Sequence, residues 1–503
     1  MASSDHPGRR VRRAKRAGRA WWIPTLGAAA ILAAAPLALA QTATVDWSQT
    51  QGGAAHLGSV TSGPEPPFRE AWRAEQPVSG PGHQYGLSAP IVVGDVVVAV
   101  GPRAVVGVSG QDGSLVWSVD RRFGPSVAPA AALADGRTVI LYTEGFGTGP
   151  PEASPTPSPS PTPASGSDEA PPSFLVAIDA ETQEPAWDAP LRLESVSRTG
   201  VTIDGDTAFV ADRLGTVYAV DVATGELRWS EDAGGPVTAP LSAADGTVVA
   251  TVQGDRTTRA RLAAFDAATG DLDWRQEVSG AAVYGSAVSI DGGAIFAGFS
   301  DQTVRSFDLG DGGERWATRV NGLAFVGIPV VSDGALLVVD AAGQVYRLDP
   351  GTGERVWDFA LNELVVRSSA IAIGDHVLVA TVNGDLAAIR ADDGRLVWRR
   401  GEPGAVLRNL TPAGDRVVGV TGGPRAGLIA FANDPDGRLV SIVSPTEPDP
   451  ASLVVNYLLA AVPLALLLIL GGRWLLGRMG PAFLEDDGTE PLPVGSGSEG
   501  GDP

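Results

Sequence analysis

Few side chains in this sequence are placed to do chemistry. The four histidines, His6, His56, His83 and His376, are dispersed, and no two stand at a metal-binding spacing. Cysteine is absent, which excludes disulfides, thiolate metal sites, Fe–S clusters and a cysteine nucleophile. No G-x-S-x-G, P-loop or H-E-x-x-H phrase occurs. The many Asp-Gly pairs read as turns, because a calcium loop needs several carboxylates in one short stretch. These patterns predict no catalytic residues and no metal site. Tryptophan does recur at fixed spacing. Trp72, Trp117, Trp187, Trp229, Trp274, Trp316, Trp357 and Trp398 are separated by 45, 70, 42, 45, 42, 41 and 41 residues, and Val440 extends the series by 42. Each indole offers a large apolar face and one N–H that needs an acceptor.

The elements that carry these tryptophans form a repeat. GTVYAVDVATGELRW at 215–229, ARLAAFDAATGDLDW at 260–274 and GQVYRLDPGTGERVW at 343–357 are its clearest copies, and GLIAFANDPDGRLV at 427–440 is a degenerate one. Each unit of 41–45 residues reads as four short alternating strands joined by Gly-Asp or Asp-Gly turns. In the first unit the strands are expected at 88–93, 96–100, 104–108 and 114–117. A period of this length with four strands suits one propeller blade, and eight intervals predict an all-β, eight-bladed β-propeller. The 70-residue gap is explained by residues 148–172, which hold nine prolines in 25 positions. This Pro/Ser/Thr-rich insertion is expected to be disordered, between the second and third strands of the second blade.

At its fullest the repeat has Ala219, Asp221, Thr224, Gly225 and Trp229, and again Ala264, Asp266, Thr269, Gly270 and Trp274. A third copy has Arg347 for the alanine, with Asp349, Thr352, Gly353 and Trp357. In these residues the chain resembles the quinoprotein-like (PQQ-repeat) β-propellers, a family of PQQ-dependent dehydrogenases and non-enzymatic BamB-type scaffolds. The resemblance implies a structural use for the tryptophan series: each indole docks on a glycine peptide of the neighbouring blade. The family's dehydrogenases hold PQQ with a vicinal disulfide, a stacking tryptophan and a calcium bound by carboxylates and Asn, beside a catalytic Asp. This chain has no cysteine, and the repeat accounts for every tryptophan from 72 to 398. The resemblance therefore implies a scaffold with no cofactor. A PQQ-dependent oxidoreductase is the rival reading.

In a propeller, the segments leading into the innermost strands gather around the central channel. Here they carry Tyr85, Arg198, Tyr284, Phe325, Arg367 and Arg408. Arginine and aromatic side chains are enriched in binding hot spots, so these six form a candidate rim for a protein partner or an anionic group.

The ends place the propeller outside a membrane. Seven basic residues precede an uncharged stretch from Ala20 to Ala40 ending Ala38-Leu39-Ala40, so residues 1–40 read as a signal peptide or signal anchor. Residues 41–66 read as a lead-in segment, 67–440 as the propeller and 441–452 as a linker. Residues 453–472 carry no charge and are long enough for one transmembrane helix. Arg473 and Arg478 follow it, so the acidic 473–503 tail is expected to be cytoplasmic and disordered. The net charge of −21 argues against a nucleic-acid partner. The functional expectation is a membrane-anchored, extracytoplasmic scaffold of the cell envelope, with a sensor that signals through the single helix as the remaining alternative.

Overall fold

The computed structural model describes residues 47–75, 86–145, 172–255, 258–280, 282, 285–320, 327–365, 370–401, 406–422 and 426–442. The signal or anchor at 1–40, nearly all of the 148–172 insertion, the 453–472 helix and the 473–503 tail lie outside these residues. Among the described residues no helix is long and apolar enough to cross a membrane.

The described chain forms eight sheets, each built around one repeat of antiparallel strands, and Ser59–Val60 adds a parallel fifth strand to the seventh. In the first blade the strands are Ile91–Val93, Val96–Val100, Ala104–Ser109 and Leu115–Asp120. They fall within a few residues of the ranges read from the sequence. In the second blade Arg137–Gly145 pairs with Ser173–Asp179, so the proline-rich insertion does leave between the second and third strands. Valine and alanine dominate the two middle strands, which are buried on both faces. The outermost strands show alternating exposure, as their position between sheet and solvent requires.

The core sits between blades. Eight separate apolar clusters each join sequence-adjacent blades, with blades 8 and 1 completing the circle, and the cluster between blades 7 and 8 also takes in Trp47 and Val92. The docking tryptophans lie at these junctions. Indole N–H groups of Trp72, Trp187, Trp229, Trp274, Trp316 and Trp357 donate to carbonyls of Gly110, Val222, Ala267, Leu309, Pro350 and Ala391 at 2.9–3.0 Å. Every acceptor belongs to the next blade. The same rings lie on Gly113, Gly225, Gly270, Gly312, Gly353 and Gly394. Those glycines have φ of +72° to +80°, and a Cβ at any of them would stand 2.5–2.7 Å from the ring. Glycine is thus required twice, by the turn and by the indole. The motif aspartates and threonines organise the turn: Asp221 accepts from the Ala223 and Thr224 amides, and Thr224 from the Glu226 amide.

Two tryptophans depart from the pattern. In the blade that follows Trp117, Gln183 holds the left-handed position (φ 58°) that glycine holds elsewhere. A side chain there removes the bare peptide surface, and the Trp117 ring lies against Gly107 of its own sheet. Trp398 packs edge-on against Phe68, with centroids 5.2 Å apart and planes at 85°.

Phe68 belongs to the strand that closes the ring. Blade 8 takes three strands from Val406–Ala413, Arg416–Gly422 and Gly427–Asn433. Its fourth, outermost strand is Phe68–Glu75, paired antiparallel to Gly427–Asn433. Val440, expected where a last tryptophan would stand, lies elsewhere. Its amide donates to the Val397 carbonyl and Ile442 bridges Leu396, so 440–442 runs along the outer strand of blade 7.

The larger departure from the sequence reading is at residues 47–60. Val92 and Ala131 amides donate to the Trp47 and Ser48 carbonyls at 2.9 and 2.8 Å, and the Ile203 amide donates to Gln49 Oε1 at 2.7 Å. Ala243, Ile290, Val331 and Ala372 amides then donate to the carbonyls of Ala54, Ala55, Leu57 and Gly58, each at 2.9 Å. These donors are the second residues of the innermost strands of blades 1 to 7, taken in order. The segment therefore follows the inner face of the ring and satisfies strand edges that would otherwise present unpaired N–H groups to the channel. Among the described residues, hydrogen bonds to the ring extend from Trp47 to Ile442.

His56 lies in this inner segment and is fully buried. Its Nδ1 is 3.0 Å from Ser242 Oγ, and burial holds the imidazole pKa down to about 4. An unfolded chain protonates this histidine near pH 6.5, whereas the folded chain does so only near pH 4. Stability is thus expected to be full above pH 6.5, to fall as pH drops towards 4, and to lose roughly 3 kcal/mol from this group. Urea unfolding at pH 7 and pH 4.5 checks this. A His56→Asn chain should lose much less than wild type between the two, and equal losses would show that His56 does not carry the effect.

Candidate functional site

The innermost strand of each blade begins at the channel mouth and ends at the turn into the second strand, so the two ends lie on opposite faces of the ring. Of the six candidate rim residues, Tyr85, Tyr284, Phe325 and Arg367 lie outside the described residues. Arg198 and Arg408 are described, and the structure gives them different surroundings.

Arg198 is exposed in the segment leading into the innermost strand of blade 3, between buried Ser197 and Thr199. Ser197 bridges Asp212 across the sheet, which holds the backbone at this point. Arg408 is half-buried. Its guanidinium lies over Gly86, closer than a Cβ there would permit, and Nη2 reaches the Leu87 carbonyl at 3.4 Å. This arginine works between blade 8 and the segment entering blade 1.

Other arginines that nothing in the repeat distinguishes hold the mouth face together. Arg121 is 7% exposed and donates to the carbonyls of Gly101 (2.6 Å), Thr143 (2.7 Å) and Pro125 (3.2 Å). Desolvation pulls its pKa down to about 10, partly offset by Glu144. Arg305 bonds Asp301 and Glu314 at 2.8 Å each and also Ser279 in the segment before blade 5. Arg399 pairs with Asp385 and with Glu363 of the preceding connection. Each guanidinium ties an inter-blade connection to a neighbouring turn. Arg121 and Arg305 are buried whereas Arg399 is exposed, and the sequence pattern does not carry that difference.

The buried carboxylates are engaged in the same way. Asp212 Oδ1 accepts from the amides of Leu214, Gly215 and Thr216, and Oδ2 accepts from Ser195 N and Tyr218 Oη. Asp340 Oδ1 accepts from Ala342 and Gln344 amides. Burial, with each aspartate beside it, pushes the Tyr218 and Tyr346 hydroxyls well above their usual range. Among the described residues no group of three or more His, Asp or Glu side chains gathers in a metal-binding arrangement. What the described mouth offers is donors and surface.

An eight-sheet ring whose blades are locked by repeated tryptophan-on-glycine contacts defines the class: a tryptophan-docked β-propeller. The family model described as outer membrane protein assembly factor BamB, a PQQ-repeat model, matches residues 173–324, 285–401 and 341–455, together more than half of the chain. The chain belongs to this family of PQQ-repeat propellers. BamB from Moraxella catarrhalis is similar in structure at 18% identity and a TM-score of 0.53, over 73% of this chain and 99% of that one. A quinohemoprotein alcohol dehydrogenase from Pseudomonas putida HK5 is similar at 14% identity and a TM-score of 0.55, over 80% of this chain and 82% of that one. A europium-containing methanol dehydrogenase is similar at 12% identity and a TM-score of 0.56, over 77% and 98%. At these identities the likeness is one of fold. No curated protein matches the chain.

Proposed function

We propose that this chain is a non-enzymatic scaffold of the cell envelope, tethered by its 453–472 segment with the propeller outside the cytoplasm, and that it binds a protein partner or anionic group on its channel-mouth face. The observation that carries the reading is the engagement of the groups that chemistry would need. Six indoles donate to neighbouring blades, and Asp212 and Asp340 are spent on turn amides. These residues do not fit a quinone and its metal, since each would have to give up a bond that holds the ring. The family model takes its name from an assembly factor, which agrees with a binding role.

The test follows from the rim. Arg198 is exposed, so Arg198→Ser is expected to leave the melting temperature unchanged, within the roughly 0.5 kcal/mol typical of surface substitutions. It should weaken cross-linking to the native partner in membranes. Equal cross-linking by the folded variant would remove the mouth as the binding face. Arg408→Ser is the contrasting case and should lower stability, because that side chain sits between blades 8 and 1.

A further inference from the structure

Blade 8 departs from blades 3 and 5 at one position, on the face away from the mouth. In blades 3, 4 and 5 the motif aspartates Asp221, Asp266 and Asp308 pair across the sheet with Thr207, Thr247 and Ala294. In blades 3 and 5 that carboxylate is met by an arginine at the bulge before the docking tryptophan: Arg228 to Asp221 and Arg315 to Asp308, both 2.7 Å. Blade 8 keeps the same register, with Trp72 opposite Ala430 and the bulge before it. Its aspartate position is Ala432, however, and its bulge position is Ala71. Both halves of the ion pair are reduced to methyl groups. Blades 1 and 7 hold Ser109 and Arg390 at the aspartate position, and blade 8 alone takes its fourth strand from the distant 68–75 segment.

A cleft of about 770 Å³ opens where this pair would stand, lined by Ala71 and Ala432 together with Arg69, Arg416 and, from blade 1, Gln111. Arg69 and Arg416 are the partners of Ala432 on either side, so one row across the sheet reads Arg416, Ala432, Arg69. Their backbones are two strand spacings apart, about 10 Å. Two long guanidinium side chains on one face can close that distance on a shared group. Arg416 contacts Asp415, while its Nε is buried without a partner. Among the described residues no acid pairs with Arg69.

We propose that this cleft binds one oxyanion, a carboxylate or a phosphate, held between Arg69 and Arg416 over Ala432, where blades 3 and 5 carry their own aspartate. Arginine presents a planar donor fork that suits either group. Asp415 and Glu65 at the cleft edge limit it to a single anionic group and disfavour a polyanion. The ligand lies opposite the channel mouth, so the site is independent of the mouth reading.

Titration calorimetry of the purified full chain with inorganic phosphate, and separately with succinate, at low salt and pH 7.5 tests this. Wild type is expected to bind one equivalent of at least one probe, and the tighter probe identifies the group as phosphate or carboxylate. Ala432→Asp restores the internal carboxylate and should weaken that binding at least tenfold without lowering the melting temperature. Arg69→Ser, at an exposed position, should weaken it comparably with the fold intact. Absence of binding to both probes by wild type, or unchanged affinity in both folded variants, overturns the proposal.

Discussion

Removal of residues 41–75 is expected to unfold the whole propeller rather than loosen blade 8 alone. The deletion takes away two closures at once. Phe68–Glu75 is the outermost strand of blade 8, and it carries Phe68 and Trp72, which are 2% and 7% exposed. Phe68 receives Trp398 of blade 7, and Trp72 docks on Gly113 of blade 1, so both neighbours of blade 8 lose their contact. Residues 47–60 are lost as well, and with them the acceptors for inner-strand amides on seven blades. Each buried amide left without a partner costs about 1–3 kcal/mol, and emptying one buried aromatic site costs about 3–5 kcal/mol. These sums exceed the stability of an ordinary domain of about 5–15 kcal/mol. Circular dichroism and urea unfolding of the truncated chain check the expectation. A shorter deletion of residues 61–75 should lower the midpoint strongly as well. A 41–75 deletion that unfolds at the wild-type midpoint would show that neither closure holds the ring.

The second large effect is expected at one docking contact. Trp229 is 8% exposed, packs between Phe209 of its own blade and Phe265 of the next at centroid distances of 5.9 and 6.2 Å, and donates to Ala267 at 3.0 Å. Trp229→Ala is expected to cost roughly 3–5 kcal/mol, since it empties a buried aromatic site at a blade junction. Gly270→Ala attacks the same contact from the other side. Its Cβ would meet the indole at 2.6 Å on a backbone with φ +80°. The double variant should therefore cost less than the sum of the two single changes, because the ring that the new Cβ strikes is gone. Denaturant midpoints for the three chains decide this. Strict additivity would mean that Trp229 and Gly270 do not share a contact.

Much of the fold was legible because its construction is periodic. Tryptophan spacing set the blade length, the Asp-x-x-Thr-Gly phrase set the turn before each outermost strand, and alternation set the strands. All three are local patterns, and the structure repeats them. FREAW at 68–72 reads as an outermost strand with no partner in its own neighbourhood, and the structure pairs it with the last blade. The candidate site was less legible. Arg198 and Arg408 stand at like positions in sequence, yet one is exposed and the other lies between blades. Their difference comes from Gly86, 322 residues before Arg408, which leaves room for a guanidinium.

The sequence by itself determined the number of blades and six of the eight docking tryptophans with the glycines that receive them, because each follows from spacing within one repeat and its neighbour. Only the tertiary structure decided what residues 47–60 do. No periodicity marks them, and their partners are single amides spread from Val92 to Ala372, brought around one axis by the ring. The structure likewise decided which arginines are clamps, since burial of Arg121 and Arg305 depends on connections folded over them. It also exposed the blade 8 cleft. Ala71 and Ala432 are unremarkable alanines 361 positions apart in sequence, and they become a gap between two guanidiniums only when the first-made strand is laid beside the last. Short-range pattern specifies the repeat unit, whereas circular closure joins distant residues whose side chains carry no signal of each other until they meet.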